Sequence, residues 1–254
     1  MRFARVIAPD FVEPMWAQIV DGSVELLKAA PFNGVVASGG AVTLSDVTLL
    51  APVTPSKVVC VGKNYADHAA EMGGEVPPEP VIFIKPSTTV IGPGVAIELP
   101  SQSVNVHHEC ELAVVIGAKC REVDVADIDS YIFGYTVAND VTARDLQNSD
   151  GQWTRAKSFD TFCPIGPWIE TDIDATHLDI SCTVNGEVRQ HGNTKDLVRN
   201  AHEMVSWISQ VMTLLPGDVV LTGTPAGVGP IVAGDSVTVA IQSIGELTNP
   251  VVLR

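Results

Sequence analysis

Glu109 and Glu111 stand two residues apart at the entrance to the apolar run Leu112-Ala113-Val114-Val115-Ile116. A strand has a side-chain period of two, so this spacing predicts both carboxylates on one face and Cys110 on the other. Neighbouring carboxylates repel, and a hard divalent cation with oxygen ligands relieves that repulsion; Mg²⁺ or Mn²⁺ suits the pair, with Ca²⁺ as a further option. An edge strand with a wet acidic face would carry the same spacing, because acidic residues are mostly exposed. A second apolar segment ends at Asn139-Asp140. Asp140 would complete a set of three carboxylates with positions left open for water or substrate.

Three further groups have side chains fit for chemistry. His68 and Glu71 are three residues apart, so on a short helix they share a face and the carboxylate can orient the imidazole for activating water. A solvated pair beside a flexible loop has the same spacing. Arg144 and Gln147 follow Asp140 by four and seven residues, which on helical turns places all three on one side. Two readings stand for Arg144: substrate positioning, or a structural bridge to Asp140 or Asp145. Lys157 lies between Trp153 and Phe159, where a surface lysine is the plain alternative. The glycines of Gly223-Thr224-Pro225-Ala226-Gly227 do not form a phosphate loop, since no Gly-Lys-Ser/Thr ending follows. No Gly-x-Ser-x-Gly elbow is present, which argues against serine hydrolase chemistry.

The elements that must position these groups are mostly strands. Val58–Val61, Val81–Ile84, Leu112–Ile116, Ile132–Val137 and Ile165–Glu170 read as β, and Asn185-Gly186 marks a type I′ hairpin between Ile180–Val184 and Glu187–Arg189. Asp218–Leu221 and Ser236–Ile241 return to strands. One amphipathic helix is expected from Ala201 to Leu215, with Met204, Val205, Ile208, Val211, Met212 and Leu215 on its apolar face and Pro216-Gly217 as the stop. His202 on that helix reads as structural or exposed. Residues 1–50 predict a small β-rich N-terminal domain with Arg5–Ile7, Met15–Val20 and Ser23–Leu27 as strands and a small, flexible Gly34–Gly40. A Pro-rich boundary leads to a main domain over 56–254. The fold expectation is mostly β with few helices.

Composition narrows the partners. The chain has 254 residues, 46% hydrophobic and 18% charged, enough to bury one large core. A net charge of −15 with only 15 Lys and Arg argues against nucleic acid or an anionic membrane as partner. No N-terminal apolar leader and no long apolar run occurs, so a soluble, cytoplasmic protein is expected. Cys60, Cys110, Cys120, Cys163 and Cys182 lack CxxC spacing and read as buried reduced thiols.

Five motifs in order, Val61-Gly62-Lys63-Asn64-Tyr65-Ala66-Asp67-His68, Glu109-Cys110-Glu111-Leu112, Asn139-Asp140-Val141-Thr142-Ala143-Arg144-Asp145, Lys157-Ser158-Phe159-Asp160 and Leu221-Thr222-Gly223-Thr224-Pro225, resemble the fumarylacetoacetate hydrolase family. The resemblance covers about residues 55–254. It implies a mixed β-sandwich roll behind the N-terminal domain, and Glu109, Glu111 and Asp140 as ligands of Mg²⁺ or Mn²⁺. It also implies a mobile lid near residues 64–80 carrying His68 and Glu71, a Lys157 that reaches substrate oxygens, and Thr224 in a turn facing the substrate carboxylate. The implied substrate is a small 2-oxo acid that reacts through a metal-bound pyruvate enolate. Hydrolysis of a C–C bond in an acylpyruvate, or decarboxylation of oxaloacetate, stands ahead of 2-hydroxyhepta-2,4-diene-1,7-dioate isomerisation. A non-catalytic metal-binding member is the reading from another class. Cys110, with His107 and His108 before it, departs from the small residue common between the glutamates. The resemblance and the apolar composition together imply a homodimer burying more than about 1,000 Å². Light scattering at micromolar concentration is expected to return twice the mass of one chain, and a single-chain mass would exclude the dimer.

Overall fold

The computed structural model describes residues 1–9 and 11–254. The N-terminal segment forms β1 (Arg2–Ile7), β2 (Met15–Val20), β3 (Ser23–Leu27), β4 (Ala37–Thr43) and the short β5 (Thr48–Leu49). Thus residues 37–40 of the Gly34–Gly40 stretch expected to be flexible belong to a strand: β4 pairs with β3 through Leu27–Ala37, Glu25–Ala41 and Val24–Val42. Ala4, Val6, Ala17, Ile19, Val24 and Leu26 make a cluster of their own here. β1 also pairs with a strand of the main sheet.

Past the Pro-rich connection come β6 (Val58–Gly62), α1 (Ala66–Glu71), β7 (Val81–Lys85), β8 (Val90–Ile91) and β9 (Ile97–Leu99). Next are β10 (Val106–His108), β11 (Cys110–Ile116), β12 (Ile132–Asn139) and β13 (Thr142–Ala143). Two short helices, α2 (Arg144–Asp150) and α3 (Thr154–Lys157), precede β14 (Cys163–Glu170). The hairpin of β15 (Asp179–Val184) and β16 (Glu187–Asn193) turns at Asn185 and Gly186, both with positive φ (54° and 82°), as the type I′ expectation requires. α4 (Ala201–Val211), β17 (Val219–Leu221), β18 (Gly229–Pro230), β19 (Ser236–Ile241) and β20 (Gly245–Leu253) complete the chain.

The large sheet runs β4-β3-β2-β1-β14-β12-β11-β17-β6-β7, and a five-stranded sheet runs β16-β15-β19-β20-β9. Every residue of β11 is buried, because both its faces are covered. Cys110, Leu112, Val114 and Ile116 pack in one core with Ile180, Cys182 and Val239 of the five-stranded sheet. Ala113 and Val115 join Val58, Cys60, Ile165 and Leu221 in another. The period of two therefore sorts β11 between two cores. The expected mostly β fold with few helices is observed. Among the described residues no helix is long and apolar enough to cross a membrane, and all five cysteines are buried thiols.

The Ala201–Leu215 helix is shorter than its periodicity suggests. A capping box of Asn200 and Glu203 starts α4, but Met212 is extended (φ −151°) and the helix ends at Val211. Leu214 then exchanges two 2.9 Å backbone hydrogen bonds with Cys120, and this pairing takes the chain out of the helix. Val211 and Leu215, expected on the apolar face, are exposed.

Asp218 fastens the Pro-rich connection to β17. Its buried carboxylate accepts from Ser56 N (3.0 Å), Ser56 Oγ (2.6 Å), Lys57 N (3.3 Å), Leu215 N (2.9 Å) and Lys57 Nζ. Burial works against the charge, yet Lys57, Ser56 and the Leu215 N–H hold the carboxyl below its ordinary range. A lowered folded value means that the contribution is complete above the unfolded value of about 4 and is lost as pH falls through the folded one. Asp218→Asn is expected to cost about 3 kcal/mol at neutral pH. Denaturant titrations of both proteins should show that gap narrowing only below about pH 4.

Candidate active site

Strand direction brings the acidic residues together. β11 is antiparallel to both β12 and β17, and β17 is parallel to β6, so the start of β11 and the ends of the other three lie at one edge. Cys110 pairs with Asn139, and Glu109 and Asp140 flank that pair. Asp140 N donates to Glu109 O (2.8 Å), and Glu109 N donates to Asn139 Oδ1 (3.0 Å). On the other side, the Ala113–Leu221 pair puts the turn after β17 beside Glu111, where Gly223 N donates to Glu111 Oε2 at 2.6 Å. Gly223 has φ +105°, and a Cβ there would lie 2.9 Å from Asn64 Cβ, so the turn needs glycine. One carboxylate oxygen from each of Glu109, Glu111 and Asp140 lies within 4.8 Å of the others, all three residues buried. The cluster contains no nitrogen from His107 or His108, and Cys110 faces the opposite core.

Cations surround this cluster. Lys157 Nζ donates to Glu109 Oε2 (2.8 Å) and Asp140 Oδ2 (2.7 Å) and sits 5.0 Å from the centre of the Phe83 ring. Arg144 donates to Glu109 Oε1 (2.5 Å) and Gln147 Oε1 (2.6 Å). The bridge read for Arg144 toward Asp140 or Asp145 is thus replaced by one to Glu109. α2 begins at Arg144, and successive side chains diverge by about 100°, so Asp145 turns instead to Ser103 Oγ (2.6 Å) and Val104 N (3.1 Å). A third cation went unnoticed in the sequence: Lys85, fully buried at the end of β7, donates to Asp140 Oδ1 and to Val141 O (3.1 Å). Its only sequence signal is a lysine closing the apolar strand Val81–Lys85.

Burial alone would raise Glu109 and lower Lys157. Lys157 and Arg144 nevertheless hold the Glu109 carboxyl well below the carboxylate range, while Asp140 and Glu109 hold the Lys157 ammonium above its ordinary value. Glu111 differs. Burial, then the charges of Asp140 and Glu109, push its carboxyl well up, and among the described residues its one hydrogen-bond donor is the Gly223 N–H. An all-oxygen donor set with one carboxylate short of positive charge fits a hard divalent cation such as Mg²⁺ or Mn²⁺.

His68 lies in α1, its Nδ1 3.0 Å from Glu71 Oε2, and Gly227 N donates to Glu71 Oε1 at 2.9 Å. Gly227 (φ +98°) is also obligatory, since a Cβ would lie 2.3 Å from Arg189 O. The segment after α1 is tied down by Arg199, which donates to Pro78 O (2.5 Å) and Pro77 O (3.3 Å).

Thr224 is oriented by Gln190 of β16, a residue with no sequence signal. Gln190 Oε1 accepts from Cys110 N (3.0 Å) and lies 2.9 Å from His108 Nδ1, while Nε2 donates to Thr224 Oγ1 (2.7 Å) and Pro225 O (2.8 Å). A backbone N–H only donates and a carbonyl only accepts, so these partners set the amide orientation. Thr224 Oγ1 then accepts from Gln190. Of the nine residues singled out from the sequence, His68, Glu109, Glu111, Asp140, Arg144, Gln147, Lys157 and Thr224 line one cavity of about 170 Å³, with Glu71 behind His68. That volume is below the ~300–1,000 Å³ of drug-sized sites and suits a compact molecule.

Residues 57–252 match the family model described as fumarylacetoacetate (FAA) hydrolase C-terminal, and residues 1–52 match one described as Rv2993c-like, N-terminal. Over 265 residues the chain is 52% identical to protein Rv2993c of Mycobacterium tuberculosis, spanning 100% of this chain and 99% of that protein. It is 48% identical over 220 residues to the mitochondrial oxaloacetate tautomerase Fahd2a of Rattus norvegicus, covering 82% of this chain and 70% of the relative. The structure of 2-hydroxyhepta-2,4-diene-1,7-dioate isomerase from Mycobacterium marinum superposes with a TM-score of 0.92 at 49% identity, over 100% of this chain and 99% of that one. Maleylpyruvate hydrolase from Sphingobium sp. SYK-6, solved in complex with manganese (II) ion and pyruvate, gives 0.82 at 31% identity, over 100% and 99%. The chain belongs to the fumarylacetoacetate hydrolase family of enzymes.

Proposed function

We propose that this chain enolises a small 2-oxo acid with the aid of Mg²⁺ or Mn²⁺ held by Glu109, Glu111 and Asp140. The observation that carries the reading is a single cavity in which the buried carboxylate cluster meets His68, backed by Glu71, and Lys157. When bound, the ion supplies a Lewis acid for the 2-oxo acid unit. His68 is held at Nδ1 by Glu71, which leaves Nε2 to take a proton from substrate C3, and the Glu71 carboxylate stabilises the imidazolium that results. The C–H electron pair becomes the C2=C3 bond, and the carbonyl pair moves to the 2-oxo oxygen. Lys157, kept positive by its neighbours, stabilises the charge arising on that oxygen. Transfer of that proton from the His68 imidazolium to the oxygen regenerates the base and completes tautomerisation. Arg144, Gln147 and the Thr224 hydroxyl orient the substrate carboxylate, and the segment around residues 64–80 acts as the lid that excludes water.

Three relatives bear on the reaction. Relatives named as a tautomerase and an isomerase, which need proton transfer alone, are 48% and 49% identical, against 31% for the maleylpyruvate hydrolase. Proton transfer on oxaloacetate or a related 2-oxo dicarboxylate therefore moves ahead of C–C cleavage. Hydrolysis of an acylpyruvate is the second reading, favoured by the hydrolase similarity; there His68 would take the proton from water.

Calorimetric titration of Mn²⁺ or Mg²⁺ is expected to show one site in the wild type and a binding loss in Asp140→Ala; wild-type affinity in the variant would remove Asp140 from the ligand set. His68→Ala is expected to slow keto–enol exchange of oxaloacetate by about 10²–10⁴. Oxaloacetate decarboxylation, which needs no base, should fall much less, whereas Lys157→Ala should lower both. Equal losses in His68→Ala would assign His68 to closure of the site.

A further inference from the structure

Four cationic side chains border the site, and three of them touch its carboxylates: Lys85 reaches Asp140, Arg144 reaches Glu109, and Lys157 reaches both. The fourth is Lys63. It lines the same cavity, yet among the described residues no carboxylate is paired with its ammonium. Its backbone lies in the left-handed region at φ +57°, which a lysine adopts only when its surroundings impose it. Those surroundings are visible on both sides. A Cβ on Gly62 would lie 2.5 Å from the Trp153 ring, so the chain runs tight against that indole. Asn64 is pinned by hydrogen bonds to Arg199 O (2.9 Å), Thr222 O (2.8 Å) and from Arg199 N (3.0 Å). The Lys63 ammonium rests under the segment after α1, 3.1 Å from where a Cβ on Gly74 would sit. Met72, Phe83 and Trp153 supply apolar wall around the same cavity, and an unpaired charge beside such a wall attracts an anion more strongly than one in open water.

We infer that Lys63 receives the anionic far end of the substrate, making the enzyme selective for 2-oxo dicarboxylates over 2-oxo acids whose far end is neutral. The inference rests on the 2-oxo acid reading above, because the near carboxylate and the oxo group must occupy the cluster end of the cavity for the far end to meet Lys63. The other three cations neutralise the chain's own carboxylates; Lys63 is the one left to select among substrates.

The test compares oxaloacetate with its 4-methyl ester, which keeps the reacting carbons and removes the far charge, using the full chain with Mn²⁺. Lys63→Asn removes the ammonium with a residue that tolerates left-handed backbone, and Lys63→Arg keeps the charge. The ratio of kcat/KM for oxaloacetate to that for the ester is expected to fall about 10- to 100-fold in Lys63→Asn, the range of one charge-assisted hydrogen bond. The change should lie mainly in KM for oxaloacetate, and Lys63→Arg should recover most of it. Equal losses on both compounds, or an unchanged ratio, would overturn the role of Lys63 while leaving the 2-oxo acid reading intact. Turnover of neither compound by the wild type would overturn both.

Discussion

Three carboxylates buried within 4.8 Å of one another are the constraint on which the rest of this structure depends. Two unit charges about 4 Å apart repel by roughly 4 kcal/mol at the effective dielectric of a protein, so the cluster can exist only if positive charge is delivered to the same place. Lys85, Lys157 and Arg144 deliver it to Glu109 and Asp140. Glu111 is left with a backbone N–H, an asymmetry that a bound divalent ion would relieve. Lys157 bridges two of the carboxylates and lines the cavity, so the residue that neutralises the cluster is also placed to meet charge arising on a substrate.

The fold meets this requirement by strand direction. A parallel pair, β6 and β17, ends beside the start of antiparallel β11, and each end carries a turn with a chemical part: Asn64 and α1, the Gly223-Thr224 turn, and the two glutamates. The five-stranded sheet contributes from behind. Gln190 crosses from β16 to hold both the Cys110 N–H and Thr224. Rigid strands therefore hold the carboxylates, whereas the proposed base sits on a six-residue helix tied to the body through Glu71 and Arg199. For the proposed enolisation, this division would supply a fixed electrostatic floor and a separate element that carries the base.

Such a site can serve several reactions, because the enolised 2-oxo acid is common to all of them and only the fate of the far fragment differs. Arg144, Gln147 and Thr224 sit with the carboxylate cluster, while Met72, Trp153 and Lys63 complete the lining. On the proposed reading, the far end of the substrate is what Lys63 would recognise in this chain.

Local pattern was enough for the features governed by local geometry. The Glu109/Glu111 spacing needs only the strand period, the Asn185-Gly186 turn needs only tolerance of positive φ, and His68 with Glu71 needs only one helical turn. Periodicity overran where a partner intervened: α4 stops at Val211 because Leu214 is claimed by Cys120, a contact no local pattern contains. Lys85, Gln190 and the true partner of Arg144 were invisible for the same reason. Lys85 lies 55 residues from Asp140, Gln190 34 from Thr224 and Arg144 35 from Glu109. The sequence by itself determined which carboxylates share a face and which residues can carry protons, since those follow from side-chain chemistry and backbone period. Only the tertiary structure decided which cation neutralises which acid and which lysine of the cavity has no carboxylate partner among the described residues, because charge pairing depends on distances that strand order alone creates.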